Sequence, residues 1–408
     1  MTRFIESFTT RHMLTPWTTK AAQTWLFLAA VPAKKVRNYL EHFMNSKGPD
    51  RAKYHYEVWA EPSFGFLTVV DHGDFRSLHE SEDPERTLKH REVIWTFPAA
   101  RYRRTDDNLL VERTLVWVQP FYFDNNSYVT FSSREIYGGE KGMADVLIAE
   151  GSTGQDFHMD VDLHGFSTYN PRSQVRDLGG MHIRGGPMVT DPPAQLRSGE
   201  QADPPKGSDG PPGSTVGPPL PSMKELLDQD AEVRKFLLTF SSILPPEWSI
   251  DKPGEHFEVP EIELNSVKQY RDANDSYLAA YRALVSSQVS HSNLDGFKCL
   301  PKERVDVRFM WSASFSEQLT NLFGLERPKE GAGQSGHLGK GMHIDDVGID
   351  WDLPAVRLDV RLAVYFTSDA QFDVIKVLHA YGDSPNYHHM LVDSKIRPEP
   401  SPASGPRP

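Results

Sequence analysis

The sequence predicts an α+β fold built mostly of antiparallel β-structure, and three observations carry that expectation. Short runs rich in aromatic and β-branched residues recur along most of the chain, long helical patterns are few, and polar or Gly/Pro turns separate the runs. Residues 1–20 are of mixed character and are expected to form an arm that packs on a larger body. From Trp25 to Leu40 an apolar run passes through Pro32 into a stretch with Val36, Tyr39, Leu40 and Phe43 at helical spacing. This reads as a strand followed by a helix. Strand-like segments follow at Tyr54–Trp59, Gly65–Val70, Val93–Phe97, Leu109–Trp117 and Phe121–Phe131. Phe157–His164 alternates apolar and polar residues, the pattern of a half-exposed strand.

Residues 181–222 are dense in Pro, Gly and Ser and poor in apolar residues. Such a segment buries too little surface to offset its ordering entropy, so it reads as a flexible insertion. Met223–Phe240 reads as a helix and Glu258–Tyr270 as a strand. Tyr277–Val285 reads as a second helix, capped by Asp275 or Ser276. Strands are expected again at Arg304–Ser314 and Val356–Thr367, separated by the Gly-rich loop Gly331–Gly341. The expected organisation is one domain in two halves, 21–180 and 223–395, interrupted by the insertion at 181–222 and followed by a disordered tail at 396–408.

Composition narrows the function classes. The 408-residue chain carries a formal net charge of −12. That balance argues against nucleic acid, whose phosphates need a basic face, and against anionic membrane surfaces. The apolar stretch Trp25–Pro32 is too short to span a bilayer. The single cysteine, Cys299, cannot close an internal disulfide, which fits a reducing compartment. A soluble, cytoplasmic protein is the expectation.

Chemistry concentrates at Ser133–Ala144. The segment begins at the end of a β-branched, aromatic-rich run (Tyr128, Val129, Thr130, Phe131) and breaks at Gly138-Gly139, and Lys141 follows with Met143-Ala144 beyond it. Desolvation disfavours the ammonium form of a lysine delivered into an apolar surround, and a neutral lysine can attack a carbonyl to give a Schiff base. An unperturbed lysine is neutral only about once in 2,500 molecules at pH 7, so activation needs roughly 4.6 kcal/mol.

Three segments together resemble the acetoacetate decarboxylase superfamily: Glu112 through Phe121, Arg134-Glu135-Ile136-Tyr137-Gly138 leading to Lys141, and Val267-Lys268-Gln269-Tyr270-Arg271-Asp272-Ala273 with Tyr281 beyond it. The resemblance runs from about Trp25 to Thr367. It implies a β-barrel or cone with a few peripheral helices, a Schiff-base lysine at Lys141, and Glu112 as the proton-transfer carboxylate. It further implies Arg134, Glu135 and Tyr137 beside the substrate, with a structural ion pair beside the turn as the other reading of Arg134 and Glu135, a closed homo-oligomer and a small-molecule carbonyl substrate; no cofactor is expected. The chain departs from the family pattern at several positions. Gly142 replaces a second lysine, Glu140 replaces a proline, and Ala29 or Ala30 stands where the family has an arginine for the substrate carboxylate. A further family carboxylate falls near Trp95–Phe97, where none stands, although Glu92 is close in sequence.

The implied activity is a Schiff-base lyase, of decarboxylase or aldolase/dehydratase type, on a keto acid or related carbonyl compound larger than acetoacetate. The alternative is a non-catalytic small-molecule-binding or interaction protein on the same fold. His158, Asp160, Asp162 and His164 share a strand face and are metal-competent residue types. Groups in a line along one strand seldom converge on one ion, and no metal site is expected there, at His343-Ile344-Asp345-Asp346, or at His379 with His388-His389.

Overall fold

In the computed structural model the described residues are 15–45, 53–78, 87–139, 141–165, 176–186, 223–240, 259–271, 279–310, 319–325 and 355–380. The first-half strands are β1 (Trp17–Ala30), β2 (Tyr54–Val58), β3 (Phe64–Ser77), β4 (Leu88–Arg104), β5 (Leu110–Asp124), β6 (Lys141–Ile148), β7 (Phe157–Gly165) and β8 (Arg176–Gly185). The second half supplies β9 (Val259–Arg271), β10 (Ala279–Pro301), β11 (Val305–Met310), β12 (Ala355–Arg357), β13 (Val360–Phe372) and β14 (Lys376–Ala380). Among the described residues the α-helices are α1 (Ala33–Tyr39), which runs on as a π turn to Met44, α2 (Ser127–Tyr137), α3 (Met223–Gln229) and α4 (Ala231–Leu238).

Seven strands close into a barrel in the order β5-β9-β10-β13-β1-β3-β4, with β4 pairing back onto β5. The β5–β9 and β5–β6 contacts are short and parallel, and the other pairings are antiparallel. From β5 the sheet also runs outward through β6, β7, β8, β11 and β12. This is the predominantly antiparallel β-barrel with peripheral helices that the sequence predicts.

The continuous apolar run in β1 follows from burial on both faces. Trp25, Phe27 and Ala29 join the main core, while Leu26, Leu28 and Ala30 pack on the other side against α3 and α4 through Leu226, Leu227, Val233 and Phe236. Period-two alternation thus sorts one apolar sequence into two cores. Tyr56, Trp95, Val116, Val161, Ile183 and Phe309 extend the main core from the barrel into the outward strands.

Four local expectations are corrected. The run Tyr128–Phe131 is helical, within α2. The Asn126 side chain caps that helix by accepting from the Tyr128 and Val129 N–H groups at 3.0 and 3.2 Å. The described part of the expected helix Tyr277–Val285, from Ala279 on, is instead part of β10, paired with β9 on one side and β14 on the other. The expected helix Met223–Phe240 breaks at Asp230, which caps α4 through Glu232 and Val233 N–H. The strand β7 is not half-exposed, because Asp160 and Asp162 are buried along with its apolar residues.

Residues 17–20 of the expected arm belong to β1. Residues 1–14, most of the insertion (187–222), the Gly331–Gly341 loop, Glu140, His343, His388, His389 and the 396–408 tail lie outside the described residues. Among the described residues, no helix is long and apolar enough to cross a membrane.

Candidate active site

Strand register builds the site. His72 on β3 lies opposite His90 on β4, Glu92 on β4 lies opposite Asp124 on β5, and Tyr122 on β5 lies opposite Lys141 at the start of β6. His90 and Glu92 are two residues apart, as are Tyr122 and Asp124, so each pair shares a strand face. Directly opposed side chains have Cβ atoms about 4.5–5.5 Å apart, and six polar groups from four strands therefore meet.

The Lys141 side chain is only 1% exposed. Its Nζ donates to Asp124 Oδ2 at 2.9 Å, lies 3.5 Å from Glu92 Oε2, and sits 4.0 Å above the centre of the Tyr122 ring. The Tyr122 hydroxyl donates to Glu92 Oε2. His72 Nε2 is 3.0 Å from Glu92 Oε1, and His90 Nε2 is 3.7 Å from both Glu92 Oε2 and Asp124 Oδ2. Burial would by itself favour the protonated Glu92, but His72 and Lys141 outweigh it and hold the carboxyl well below its usual range. Burial, with Glu92 and Asp124 adding to it, pushes the Tyr122 phenol well above its usual range.

The turn that delivers Lys141 is fixed from two directions. Helix α2 ends at Gly138 in the left-handed region (φ 66°), and Lys141 N–H donates to the Gly139 carbonyl at 2.8 Å. A Cβ at Gly138 would stand 2.4 Å from Lys268 Cβ, so only glycine fits there. Ser266 Oγ donates to the Tyr137 carbonyl at 2.7 Å, and Lys268 Nζ donates to the Ile136 carbonyl at 3.4 Å. A cation at the carbonyl end of a helix is the favourable polarity. The two most specific segments noted in the sequence, around Gly138 and around Lys268, are thus in contact.

The other site residues expected from sequence lie elsewhere. Glu112 is not beside Lys141. It is exposed on β5, has φ 58°, and holds Arg103 through two contacts of 2.5 and 2.7 Å. It precedes Tyr122 by ten positions on one strand, a separation of about 33 Å. Arg134 is exposed on α2 and Glu135 is half-buried, near enough to Lys268 to oppose the effect of burial on that ammonium. The Tyr137 hydroxyl donates to the Phe372 and Asp373 carbonyls at 3.4 and 3.1 Å, and its ring packs on Trp17. Tyr137 therefore anchors α2 to the end of β13. The carboxylates that do reach Lys141 are Glu92 and Asp124. The sequence signal for them was the pair of alternations His90-x-Glu92 and Tyr122-x-Asp124, which carries meaning only once the register is known.

Gly142, where the family has its second lysine, has no room for a side chain: a Cβ would lie 2.6 Å from Phe123 Cε1. Ala29, one of the positions aligned with the family arginine, is fully buried in the main core.

Among the described residues, two groups have metal-competent geometry, His72 with His90 and Glu92, and His158 with Asp160 and His182. In the second, His182 Nδ1 is 2.8 Å from Asp160 Oδ1, and the two imidazoles outweigh burial to lower the Asp160 carboxyl. A cleft of about 150 Å³ lies apart from both groups, lined in part by Leu227, Asp230, Glu303 and Arg361.

No protein-family model matches the chain, and no curated protein matches it. Solved structures to which it is similar include acetoacetate decarboxylase from Legionella pneumophila, 9% identical, with a TM-score of 0.44 over 92% of this chain and 94% of that one. An acetoacetate decarboxylase-like enzyme from Sphingomonas wittichii RW1 is 8% identical, with a TM-score of 0.41 over 90% of this chain and 92% of that one. The enduracididine biosynthesis enzyme MppR is 10% identical, with a TM-score of 0.39 over 90% of this chain and 88% of that one.

Proposed function

We propose that the chain is a Schiff-base lyase acting on a keto acid or related carbonyl compound larger than acetoacetate, with Lys141 as its nucleophile. The observation that carries the reading is a buried lysine amine placed 2.9 Å from one carboxylate and 3.5 Å from another. The chemistry conserves charge at that nitrogen. Asp124 accepts a proton from the ammonium, the free amine adds to the carbonyl carbon, and the carbinolamine oxygen leaves as water after protonation. The product is an iminium cation in the place of the ammonium cation. Two carboxylates favour a cation there in either form, ammonium or iminium, and leave the overall equilibrium to the substrate.

Once formed, the iminium accepts the electron pair of an adjacent carbon–carbon bond. The bond breaks to give an enamine and either carbon dioxide or a carbonyl fragment, and the enamine carbon is then protonated. Asp124 and the Tyr122 hydroxyl are the groups beside Lys141 suited to these proton transfers. Alanine at both positions aligned with the family arginine weighs against simple acetoacetate, whose small carboxylate would lack its partner.

A second reading has its own support. The amine is 1% exposed and held by both carboxylates, the arrangement of a structural ion pair in a binding or interaction protein. Incubation with a panel of keto acids and aldehydes, followed by borohydride reduction and peptide mass mapping, separates the two. A stable adduct on Lys141 that is missing in Lys141→Met supports the lyase; no adduct with any carbonyl compound establishes the second reading.

A further inference from the structure

We propose that His72, His90 and Glu92 form a binding site for a divalent transition-metal ion of the zinc or iron(II) class. The three side chains are 2%, 2% and 3% exposed. Their ligand atoms all lie within 4.8 Å of one another. The two imidazoles are stacked with centroids 4.3 Å apart and planes 14° from parallel, and the Nε2 atoms of His72 and His90 approach Glu92 oxygens at 3.0 and 3.7 Å.

The decisive observation is the state of the ring nitrogens. All four, Nδ1 and Nε2 of both histidines, are buried and have no partner in full hydrogen-bond geometry, the two Nε2 atoms approaching Glu92 oxygens only at 3.0 and 3.7 Å. His72 Nε2 approaches Glu92 Oε1 to 3.0 Å without hydrogen-bond geometry. Buried polar atoms in native proteins are almost always satisfied, and one that is not calls for an ion, a water or a catalytic role. Nitrogen and oxygen atoms that come close without pointing at each other suit a common third partner.

The chemistry of the set fits such an ion. Two imidazoles and one carboxylate are the donor combination of catalytic zinc sites and of non-haem iron(II) sites, both of which keep open coordination positions. Two carboxylates, Glu92 and Asp124, stand in the cluster beside the Lys141 ammonium and the two imidazoles. Metal–nitrogen bonds of about 2.0–2.1 Å imply donor separations near 3.3 Å in a tetrahedron. The three groups therefore need to contract modestly around the ion. Lys141 is an opposing charge 3.5 Å from Glu92, so affinity reflects its competition with the ion for that carboxylate.

The site does not depend on the Schiff-base reading, and the metal and adduct experiments succeed or fail separately. The test uses the untagged full chain, stripped with a chelator and dialysed, then titrated with Zn²⁺ by calorimetry and with Co²⁺ by its visible d–d absorption. One strong site per chain is expected. His72→Gln and His90→Gln should each weaken it at least tenfold, while His182→Gln, in the other histidine group, should leave it unchanged. Circular dichroism and a cooperative melt verify folding, and Glu92→Gln, of nearly equal volume, serves as a further ligand variant if a histidine variant does not fold. Absence of saturable binding in the stripped protein overturns the proposal. So does binding that survives every substitution in the first group, or binding abolished by His182→Gln.

Discussion

Replacing Lys141 with methionine removes the ammonium and leaves the hydrocarbon volume nearly intact. At 2.9 Å the attraction to Asp124 is about 332/(20 × 2.9), or roughly 6 kcal/mol at an effective dielectric constant of 20. The Glu92 contact at 3.5 Å adds a gross term of roughly 5 kcal/mol on the same basis. Desolvation of the ammonium offsets much of this sum. The net cost of removing one partner of a buried pair is about 3–5 kcal/mol, because the remaining carboxylates stay in the core without their cation. Asp124→Asn separates this electrostatic cost from packing, since its side-chain oxygen can still accept the Asn126 N–H that Asp124 holds at 2.6 Å. Urea unfolding followed by tryptophan fluorescence, with chelator present so that no other cation enters the cluster, gives the four free energies of a double-mutant cycle. Lys141→Met should lose about 3–5 kcal/mol, and the cycle should show a coupling of at least ~2 kcal/mol between the two positions. A Lys141→Met protein within 1 kcal/mol of wild type, or a coupling near zero, refutes the view that these charges hold one another.

Three further outcomes follow from the same geometry. Gly142→Ala should destabilise the chain by about 1–3 kcal/mol, because the new Cβ drives into the Phe123 ring; adding Phe123→Leu should restore part of the loss in the same urea assay. Glu112→Gln should change stability by no more than about 0.5 kcal/mol and leave any borohydride adduct at Lys141 at wild-type yield, since Glu112 is an exposed partner of Arg103. Burial pushes the Cys299 thiol up to about 12, so it should resist maleimide at pH 8 in the native protein and react within minutes once urea unfolds the chain. Labelling of the native protein at the unfolded rate would contradict its placement.

The barrel was legible because alternation and β-branched runs survive in most of its strands. The failures have specific causes. Tyr128-Val129-Thr130-Phe131 has strand propensity, but the Asn126 cap and the Gly138 stop impose a helix, and neither signal registers in a count of propensities. Tyr277–Val285 contains a helix-like apolar spacing, but ladders on both sides hold its described part extended. Lys141 itself was legible from the glycine turn. Its partners were not, because His72, His90, Glu92 and Asp124 look like the polar faces of separate strands until pairing brings them together. Glu112 was favoured for opening a motif-bearing strand, and the length of that strand carries it away from Lys141.

The order of the barrel strands has a consequence for how the protein is made. β1 and β5 both come from the first half, yet β9, β10 and β13 from the second half stand between them. The last atoms that seat Tyr137 belong to Phe372 and Asp373. From Lys141 to Phe372 the ribosome adds 231 residues (372 − 141), which takes on the order of 10–50 s at ordinary elongation rates. Throughout that interval the long edge of β1 that later pairs with β13 has no partner, and unpaired edges of this kind are where strands from another chain can add. The nascent first half is therefore the stage most exposed to aggregation. Slowing translation downstream of β8 should lower the soluble yield of the full chain more than slowing it upstream of β1.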